Sequence, residues 1–393
     1  MNWKKEPLGK ICKTTSGGTP SRKNQSYYQN GTIPWVKSGE LENNIITTSE
    51  EFITEEGLLN SSAKIFPAGT LLIALYGATI GKLAFLGIDA ATNQAVCGIF
   101  QNENVSLKYL YYYLLFQRPN LVKQGVGGAQ PNISQTILKK LEISYPDSIT
   151  EQQRIVARIE ELFSELDKAV DTLKTTKEQL TVYRQAVLKD AFSDFEKKGS
   201  IRNLTMVVTS GSRGWAKYYS NSGALFVRIG NLTHSGIDID FRDIQHITPP
   251  DNAEGVRTRL QPNDVLVSIT ADLGSIGFVS EKVEEAYINQ HIALVRFQNP
   301  VQGRFMAWYL RSEYGQKDLL KNKRGGGKLG LGLDDIRDTP VPIVSDLVAQ
   351  KTVDEIEERL SVCDSIEKTV DATLAQADAM RQSILKQSFE GTM

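Results

Sequence analysis

The residues that could carry chemistry in this 393-residue sequence do not form a recognised catalytic set. The stretch Gly77-Ala78-Thr79-Ile80-Gly81-Lys82-Leu83 resembles a phosphate-binding P-loop, but only three residues separate its glycines, and Leu83 stands where Ser or Thr would bind magnesium. None of the three histidines has a spacing that closes a metal site: His234, His246 and His291. These failures favour a binding protein over an enzyme.

Cysteine usage and apolar runs bound the class of protein. Cys12, Cys97 and Cys363 form no CxxC pair, so we predict neither a disulfide framework nor a cysteine-rich zinc site, and we expect a reducing cytoplasm. The longest clear apolar run, Leu71–Leu75, is far shorter than the ~20 residues that span a bilayer. The lysines near the N-terminus precede no apolar stretch, so we expect no signal peptide and no membrane association.

Two glycine-rich loops could meet a polyanion. The first, Gln124–Asn132, carries amides, which are groups that read base edges; a simple polar turn is the alternative. The second surrounds Gly325-Gly326-Gly327 with cations that could approach phosphates, and a solvated surface loop is the alternative. Its four cations are Lys321, Lys323, Arg324 and Lys328.

Basic and aromatic residues also interleave near residue 22 and again near residue 213. The first set is Arg22, Lys23, Tyr27 and Tyr28, and the second is Arg213, Trp215, Lys217, Tyr218 and Tyr219. Such a mixture suits phosphate contact, although each aromatic taken alone fits core or loop packing better. Its recurrence strengthens the interpretation as a binding feature.

An internal repeat organises the chain. Residues 153–192 align without a gap with residues 350–389 at an offset of 197, with 15 identities in 40 positions. Neither copy contains Pro or Gly, as a long helix requires. Forty helical residues at ~1.5 Å each make a rod of ~60 Å, so we expect the two helices to pack on each other.

Apolar spacing of about 3.5 residues predicts the packing positions of a coiled coil. The positions that we expect to pack between the helices are Ile159, Leu162, Leu166, Leu173, Leu180, Val187, Ile356, Ile366, Val370 and Ile384.

About 150 residues precede each helix, and these segments read as lobes of short strands separated by turns. The lobes echo each other: Val36–Leu41 matches Val227–Leu232, and Asn93-Gln94 matches Asn289-Gln290. The predicted fold class is therefore α+β, with two mixed α/β domains joined by two long helices in an antiparallel coiled coil and an internal pseudo-twofold repeat. The predicted boundaries are a lobe at 1–149, a helix at 150–198, a lobe at 199–346 and a helix at 347–393.

Charge divides along the same boundaries. The chain has 45 basic and 46 acidic residues, a net charge of −1, which excludes a protein that coats nucleic acid by bulk charge. By segment the lobes carry +3 and +1, and the helices −1 and −4. Any polyanion should therefore meet the lobes.

The order of these features resembles the specificity subunit of type I restriction-modification systems over essentially the whole chain. In the first half the supporting motifs are Gly17-Gly18-Thr19-Pro20, Ile33–Lys37, Thr150–Val156 and Tyr183–Leu188. In the second half they are Arg213-Gly214-Trp215, Ile288–His291 and Leu331–Ile336. One departure is Ala349-Gln350, which replaces the family's Glu-Gln at the start of the second helix.

The resemblance implies a non-catalytic subunit of a host-defence and DNA-modification enzyme. Its two target-recognition domains would each read one half of a bipartite double-stranded DNA sequence. The helices would set the half-site spacing and dock two modification (methyltransferase) subunits, with restriction/translocase subunits joining through the complex. S-adenosylmethionine, ATP and Mg are expected on those partners, with no cofactor or metal in this chain.

Polar side chains in loops beside strand ends are the candidate DNA contacts. For base reading we name Lys37, Thr79, Gln130, Asn132, Arg228, Asn231, Thr270 and Lys328. For phosphate contact we name Arg22, Lys82, Arg213, Lys217, Lys321, Lys323 and Arg324. Two other classes stay open: a stand-alone sequence-specific DNA-binding regulator, which would bind DNA without partners, and a nucleic-acid enzyme, which would convert DNA in the presence of magnesium and S-adenosylmethionine.

Overall fold

The computed structural model describes residues 3–42, 44–125, 132–249, 253–321, 323 and 329–390. The chain divides into two compact units, which are Met1–Thr172 with Ala372–Met393, and Leu173–Asp371. Each unit therefore combines one lobe with part of each long helix.

The first unit is built from short strands, short helices and the two long helices. Its strands are Trp3–Pro7 (β1), Thr14–Ser16 (β2), Ile33–Val36 (β3), Asn44–Ile46 (β4), Phe52–Ile53 (β5), Ile65–Phe66 (β6), Leu71–Ala74 (β7), Leu83–Leu86 (β8), Ala90–Thr92 (β9), Val96–Ile99 (β10) and Glu142–Pro146 (β11). Its helices are Leu8–Ile11 (α1), Glu55–Leu59 (α2), Leu107–Gln124 (α3), Gln135–Lys140 (α4) and the first part of Ile149–Phe192 (α5).

Three sheets form the first lobe. One has the order β2-β10-β7-β8-β4, the second β5-β3-β9-β6, and the third is the ribbon β1-β11. All four residues of β7 are buried, and they alternate between two cores: Leu71 and Ile73 pack with α3, whereas Leu72 and Ala74 pack with Val36 and Phe66. The alternation follows from the two-residue period of a strand, and it makes β7 a strand covered on both faces.

The second unit repeats this plan. Its strands are Lys197–Ser200 (β12), Thr205–Ser210 (β13), Tyr219–Ser220 (β14), Ala224–Val227 (β15), Gln245–Ile247 (β16), Val265–Ser268 (β17), Ile276–Phe278 (β18), Ala286–Ile288 (β19), Ile292–Phe297 (β20) and Pro340–Pro342 (β21). Its helices are Ile201–Leu204 (α6), Ala253–Thr258 (α7), Pro300–Arg311 (α8), Glu313–Leu319 (α9), Leu333–Arg337 (α10), the rest of α5 and the first part of Asp346–Phe389 (α11).

Sheet order shows that the two lobes share a common set of strand pairings. The order β13-β20-β17-β18 matches β2-β10-β7-β8, and β16-β15-β19 matches β5-β3-β9, whereas β4, β6 and β14 are edge strands that these matching orders do not include. The pairing of β15 with β19 is parallel, as is that of β3 with β9. The predicted mixed α/β architecture with an internal repeat is confirmed.

A two-stranded ribbon closes each lobe. β1 pairs antiparallel with β11, and β12 pairs with β21, so the first and last strands of a lobe are neighbours. The backbone of Lys197–Ser200 is thereby paired in a strand, which is why α5 ends at Phe192 and does not extend over the predicted 150–198. The second long helix begins at Asp346, one residue before its predicted start.

Within each unit the two long helices run antiparallel. In the second unit Lys177 pairs with Asp371 (2.8 Å), Arg184 with Asp364 (2.6 Å), and Asp190 with Arg359 (2.8 Å). In the first unit Asp167 pairs with Arg381, and nearer the lobe Ile159 and Leu385 share a core cluster. In both units the residue numbers rise along one helix as they fall along the other.

The packing face of the helices differs by one position from the predicted one. Ile159, Leu180, Val187, Ile356, Val370 and Ile384 are buried, and Leu162, Leu166 and Leu173 are half-buried. Ile366, however, is 40% exposed, and its neighbour Glu367 instead faces the partner helix, where it accepts from Arg184 at 3.0 Å. The prediction for Ile366 is wrong because charged residues occupy some of the contact positions between the helices. The aliphatic parts of their side chains pack there as apolar side chains would.

Close backbone approach explains the Gly17-Gly18 motif. A Cβ at Gly17 would overlap Thr92 Oγ1, and one at Gly18 would overlap the backbone nitrogen of Ala63. The carbonyl of Gly18 also accepts from the indole of the buried Trp35 at 3.0 Å. In the described ranges, no helix is both long and apolar enough to cross a bilayer.

Candidate functional site

Strand ends bring four segments of the first lobe together. The Asn93 N–H donates to the Val36 carbonyl (3.0 Å), Leu75 N–H to Ala95 (2.8 Å), and Ile133 N–H to Leu75 (2.8 Å). These bonds join Lys37–Glu40, Leu75–Gly81, Asn93–Ala95 and Asn132 into one surface, which we call the first-lobe edge. Asn132 lies there in a bridge to Tyr76.

The second lobe repeats the same bonds. Asn289 N–H donates to Val227 (3.3 Å), Ile269 N–H to His291 (2.9 Å), and Leu331 N–H to Ile269 (2.9 Å). The second-lobe edge therefore consists of Arg228–Asn231, Ile269–Ala271, Asn289–His291 and Gly330, the last in a bridge to Thr270. A topology that places the same loops together twice is expected of two domains that bind related ligands in related ways.

Lys37 and Arg228 occupy matching positions at the start of a 3₁₀ turn. The Lys37 N–H donates to Glu40 Oε1 (2.7 Å), and the Arg228 N–H donates to Asn231 Oδ1 (2.8 Å). Gly39 and Gly230 follow, and a Cβ at either would meet no atom within 4 Å in the described chain. Each cation thus stands beside an open backbone turn that another molecule can approach closely.

Carboxylates hold the cations of the first-lobe edge. Lys37 Nζ lies 3.0 Å from Glu50 and 2.9 Å from Glu51, and hydrogen bonding to Glu51 is the largest cause that raises the pKa of Lys37. Arg22 binds the same Glu51 at 2.7 Å and lies 4.4 Å from the centroid of the Tyr28 ring. The structure therefore joins Arg22 and Lys37, which the sequence had placed in different classes of contact.

Asn231 supports its loop. It is 3% exposed, and its side-chain amide donates to the carbonyls of Asp240 (2.8 Å) and Asp243 (3.0 Å). Base reading would break those bonds, so the prediction for Asn231 is revised to a supporting role. Arg228, whose guanidinium lies 3.4 Å from Asp243, remains at the surface with 34% of its side chain exposed.

Thr270 forms part of a hydrogen-bonded array. Its hydroxyl bonds Nδ1 of His291, and Nε2 of His291 lies 2.8 Å from Nε2 of Gln290. Thr79 occupies a different place from Thr270, because Tyr76 makes the equivalent bridge, and the Thr79 hydroxyl donates to the Tyr76 carbonyl at 2.8 Å.

The remaining predicted phosphate contacts do not share one site. Lys217 Nζ lies 4.8 Å from the centroid of the Tyr218 ring, Arg213 is exposed before that turn in the sequence, and Lys82 is half-buried after the Thr79 turn. Lys321 and Lys323 are exposed after α9. Gln130, Arg324 and Lys328 lie outside the described residues.

Sequence reasoning missed the glutamines and the anchoring acids of both edges. Gln94 is exposed and accepts from the Thr19 hydroxyl, and Gln290 takes part in the array with His291. The repeated Asn-Gln dipeptide was the available signal. Glu51 and Asp243 had no such signal, because only the fold brings them to the cations.

A groove runs beside the helix pair in each unit. The first groove, of about 1380 Å³, is lined by Trp3, Ile155 and Leu162 on one side and Met380 and Ile384 on the other. The second groove, of about 370 Å³, is lined by Asp190 and Ala191 of α5 and by Thr352, Ile356 and Arg359 of α11. The offset of 197 relates Ile155 to Thr352 and Leu162 to Arg359, so the grooves are equivalent positions of the repeat.

A metal centre is not part of this arrangement. Among the residues that the structure describes, no three His, Cys, Asp or Glu side chains are grouped so that they could hold a metal ion. The fold and its edges define a two-lobed protein with paired long helices and duplicated loop surfaces.

Comparison with known proteins agrees with this class. Residues 1–181 match the family model described as "Type I restriction modification DNA specificity domain". The type I restriction enzyme EcoR124I/EcoR124II specificity subunit of Escherichia coli is 28% identical over 208 residues, which cover 52% of this chain and 50% of that subunit. In that match the chain spans about half of the relative's length.

Two further matches extend over the whole chain. The StySPI specificity subunit of Salmonella potsdam is 25% identical over 426 aligned positions, covering 100% of this chain and 89% of that subunit. A chain of a solved structure described as "Structural basis underlying complex assembly and conformational transition of the type I R-M system" has the same fold, with a TM-score of 0.76, 16% identity and coverage of 98% and 97%. These matches confirm the resemblance to the specificity subunits of type I restriction-modification systems.

Proposed function

We propose that this chain gives a type I restriction-modification enzyme its DNA sequence specificity, and that each lobe reads one half of a bipartite double-stranded target. The observation that carries the proposal is the duplicated edge, because matching hydrogen bonds assemble matching loops in both lobes. The two edges share a backbone plan but present different side chains, such as Lys37 against Arg228 and Tyr76 against Thr270. Two lobes that share a backbone arrangement but expose different side chains suit a DNA target whose two halves differ in sequence.

Lys37 and Arg228 are the cations that best fit a direct contact with DNA. Both stand at the end of a strand beside an open glycine, and both are held by carboxylates at the surface. A guanidinium or ammonium can donate to guanine O6 and N7, or to a phosphate. When Lys37 or Arg228 contacts DNA, its carboxylate partner would lose the ion pair and become solvated. This loss costs free energy, so only sequences that make a good contact with the cation would repay it.

The long helices complete the proposal by setting the half-site spacing and docking two modification subunits. The two grooves at repeat-equivalent positions support two sites for one kind of partner, one in each unit. Methyl transfer, translocation and cleavage, with their S-adenosylmethionine, ATP and Mg, would then belong to the modification and restriction partners.

Exchange of one lobe tests the two-reader proposal. Residues 1–149 are replaced by the corresponding lobe of another family member, and methylated adenines are mapped in a host that carries the chain and its modification partner. We expect one half of the methylated sequence to change and the other to stay. A change in both halves would refute separate reading by the lobes.

Paired substitutions test the cations. Lys37→Ala and Arg228→Ala are each compared with the unaltered complex in DNA binding at several salt concentrations. Loss of a phosphate contact should weaken binding to all DNA sequences alike and reduce the slope of log affinity against log salt concentration by about 1. Loss of a base contact should instead cost about 1–3 kcal/mol of binding free energy at one base pair of the target. Unchanged affinity and unchanged slope for both variants would remove these residues from the interface.

A further inference from the structure

The two grooves beside the long helices occupy equivalent positions in the repeat, yet their walls differ in kind. In the first groove the wall positions hold Ile155 and Leu162, and in the second they hold Thr352 and Arg359. The volumes differ accordingly, about 1380 Å³ against about 370 Å³. The two grooves therefore differ at the wall positions that determine how wide and how apolar each groove is.

The first groove is an apolar trough with a neutral rim. Met380 on its wall is 53% exposed, and Ile384 reaches from the groove into the packing between the helices. The rim charges compensate each other, since Arg154 pairs with Glu151 at 2.8 Å and Arg158 with Glu161 at 2.6 Å. An amphipathic helix with a narrow apolar stripe and mixed flanking charges fits such a trough, because it would continue the existing helix packing without leaving a charge unpaired.

A salt bridge crosses the second groove. Arg359 Nη1 lies 2.8 Å from Asp190 Oδ2, on the opposite helix, and its guanidinium carbon lies 5.8 Å from the centroid of the Tyr183 ring. Hydrogen bonding to Asp190 is the largest cause that raises the pKa of Arg359. An apolar stripe can enter here only if this arginine moves aside or is buried with its partner, and either change costs free energy.

We propose that the two grooves bind the same partner, an amphipathic helix of the modification subunit, with unequal affinity, the first groove filling first and the Arg359–Asp190 bridge weakening the second. This inference rests on the proposed function, since it assumes that the modification subunit docks on the helices. It adds an order of assembly. At limiting partner concentration the complex carries one modification subunit, placed on the unit that contains the first lobe.

Reciprocal substitutions test the order. Leu162→Arg gives the first groove the residue of the second, and Arg359→Leu does the reverse. The full chain is titrated with purified modification subunit, and the one-partner and two-partner complexes are quantified by native mass spectrometry. We expect Arg359→Leu to tighten the second binding step by about tenfold or more and Leu162→Arg to weaken the first step by a similar factor, which is the scale of burying or exposing one apolar side chain in an interface.

Two control variants introduce the same residues, Leu and Arg, outside the grooves. Lys368→Leu on α11 and Ser164→Arg on α5 both alter exposed residues that line neither groove, and neither should change a binding constant. Circular dichroism of all four variants shows whether the helices are intact. Should Leu162→Arg lose helicity, Leu162→Gln provides the same test with a smaller change.

The outcomes separate this inference from the function on which it rests. If the unaltered chain binds no modification subunit, the proposed function fails. If it binds two with step constants that differ only by the statistical factor for equal sites, or if Arg359→Leu leaves the second step unchanged, the order of assembly is refuted while the function stands. If the isolated chain forms dimers that Leu162→Arg abolishes, the occupant is a second copy of the chain and the proposal is equally overturned.

Discussion

Phe389, near the end of α11, holds the first lobe to the returning helix, and its removal should loosen that lobe alone. Its ring is 6% exposed and lies among three aromatic rings of α3, with centroids at 5.3 Å from Tyr109, 5.2 Å from Tyr113 and 5.7 Å from Phe116. The hydroxyls of Tyr109 and Tyr113 in turn donate to the carbonyls of Ser144 (2.8 Å) and Glu142 (3.2 Å) in β11. Phe389 therefore supports both the helix and the closing ribbon.

The expected cost of Phe389→Ala follows from these contacts. Truncating a buried Phe costs about 3–5 kcal/mol, of which three aromatic pairs account for about 0.5–1.5 kcal/mol each. A loss of about 3 kcal/mol of stability raises the population of the locally unfolded state, in which α3 has separated from α11, more than a hundredfold. Phe389→Leu keeps most of the apolar burial without the ring contacts and should show a smaller loss.

Hydrogen exchange measured by mass spectrometry locates the effect. In Phe389→Ala the amides of Leu107–Gln124 should exchange faster, and those of Pro300–Arg311 should not change. Phe192, at the equivalent repeat position, packs 5.5 Å from both Phe305 and Tyr309 in the second unit, so Phe192→Ala should give the opposite pattern. Equal acceleration in both helices, or a change below about tenfold in α3, would refute this assignment of the anchors.

Two further substitutions test the lobes. Arg296→Ala should destabilise the second unit by about 3–5 kcal/mol in urea unfolding, because it leaves the fully buried Asp264 carboxylate without the two 2.7 Å bonds from Arg296. Burial is the largest cause that raises the pKa of Asp264, so in the variant the folded carboxyl keeps its proton to higher pH than the unfolded one does. The loss of unfolding free energy relative to the unaltered chain should therefore grow as the pH rises from about 4 to 8. A loss that stays constant over this range would contradict the argument. Gly17→Ala should lower the melting temperature of the first unit, because its Cβ would overlap Thr92 Oγ1, whereas Gly39→Ala, whose Cβ meets no described atom within 4 Å, should melt as the unaltered chain does.

Much of the architecture could be predicted from the sequence, because it depends on local patterns. The absence of Pro and Gly over 40 residues and the 197-residue repeat predicted two long helices, and the segments before each helix were predicted to form lobes of short strands, which the structure contains. Helix ends were harder, since the strand at Lys197–Ser200 exists only because Pro340–Pro342 lies beside it. Nothing local to Lys197 indicates that partner.

The packing face of the helices was only half predictable, for a related reason. Apolar positions such as Ile159 and Ile356 were identified correctly, but the alternate contact positions include Lys177, Arg184 and Glu367, which an apolar pattern ignores. Ile366, which was assigned to the helix pair, is 40% exposed and lies toward solvent. In the first unit, the predicted packing positions Leu162 and Ile384 both also line the first groove.

The candidate DNA contacts were the least predictable part. Matching Val36–Leu41 to Val227–Leu232 placed Lys37 and Arg228 correctly at equivalent turns. The roles of neighbouring side chains depend on distant residues, as when Asp240 and Asp243 occupy the amide of Asn231, or Glu51 joins Arg22 to Lys37. Such partners come together through tertiary structure, and no spacing in the sequence indicates them.

The first unit is discontinuous along the chain, and this sets an order during synthesis. Residues 173–371 form the second unit from one continuous stretch, which can fold as soon as it leaves the ribosome. The first lobe emerges earlier but waits for residues 372–390, because Leu385 and Phe389 complete its core. Until then the α3 rings of Tyr109, Tyr113 and Phe116 lack their contact with Phe389, so we expect the unit that begins first along the chain to complete its core last.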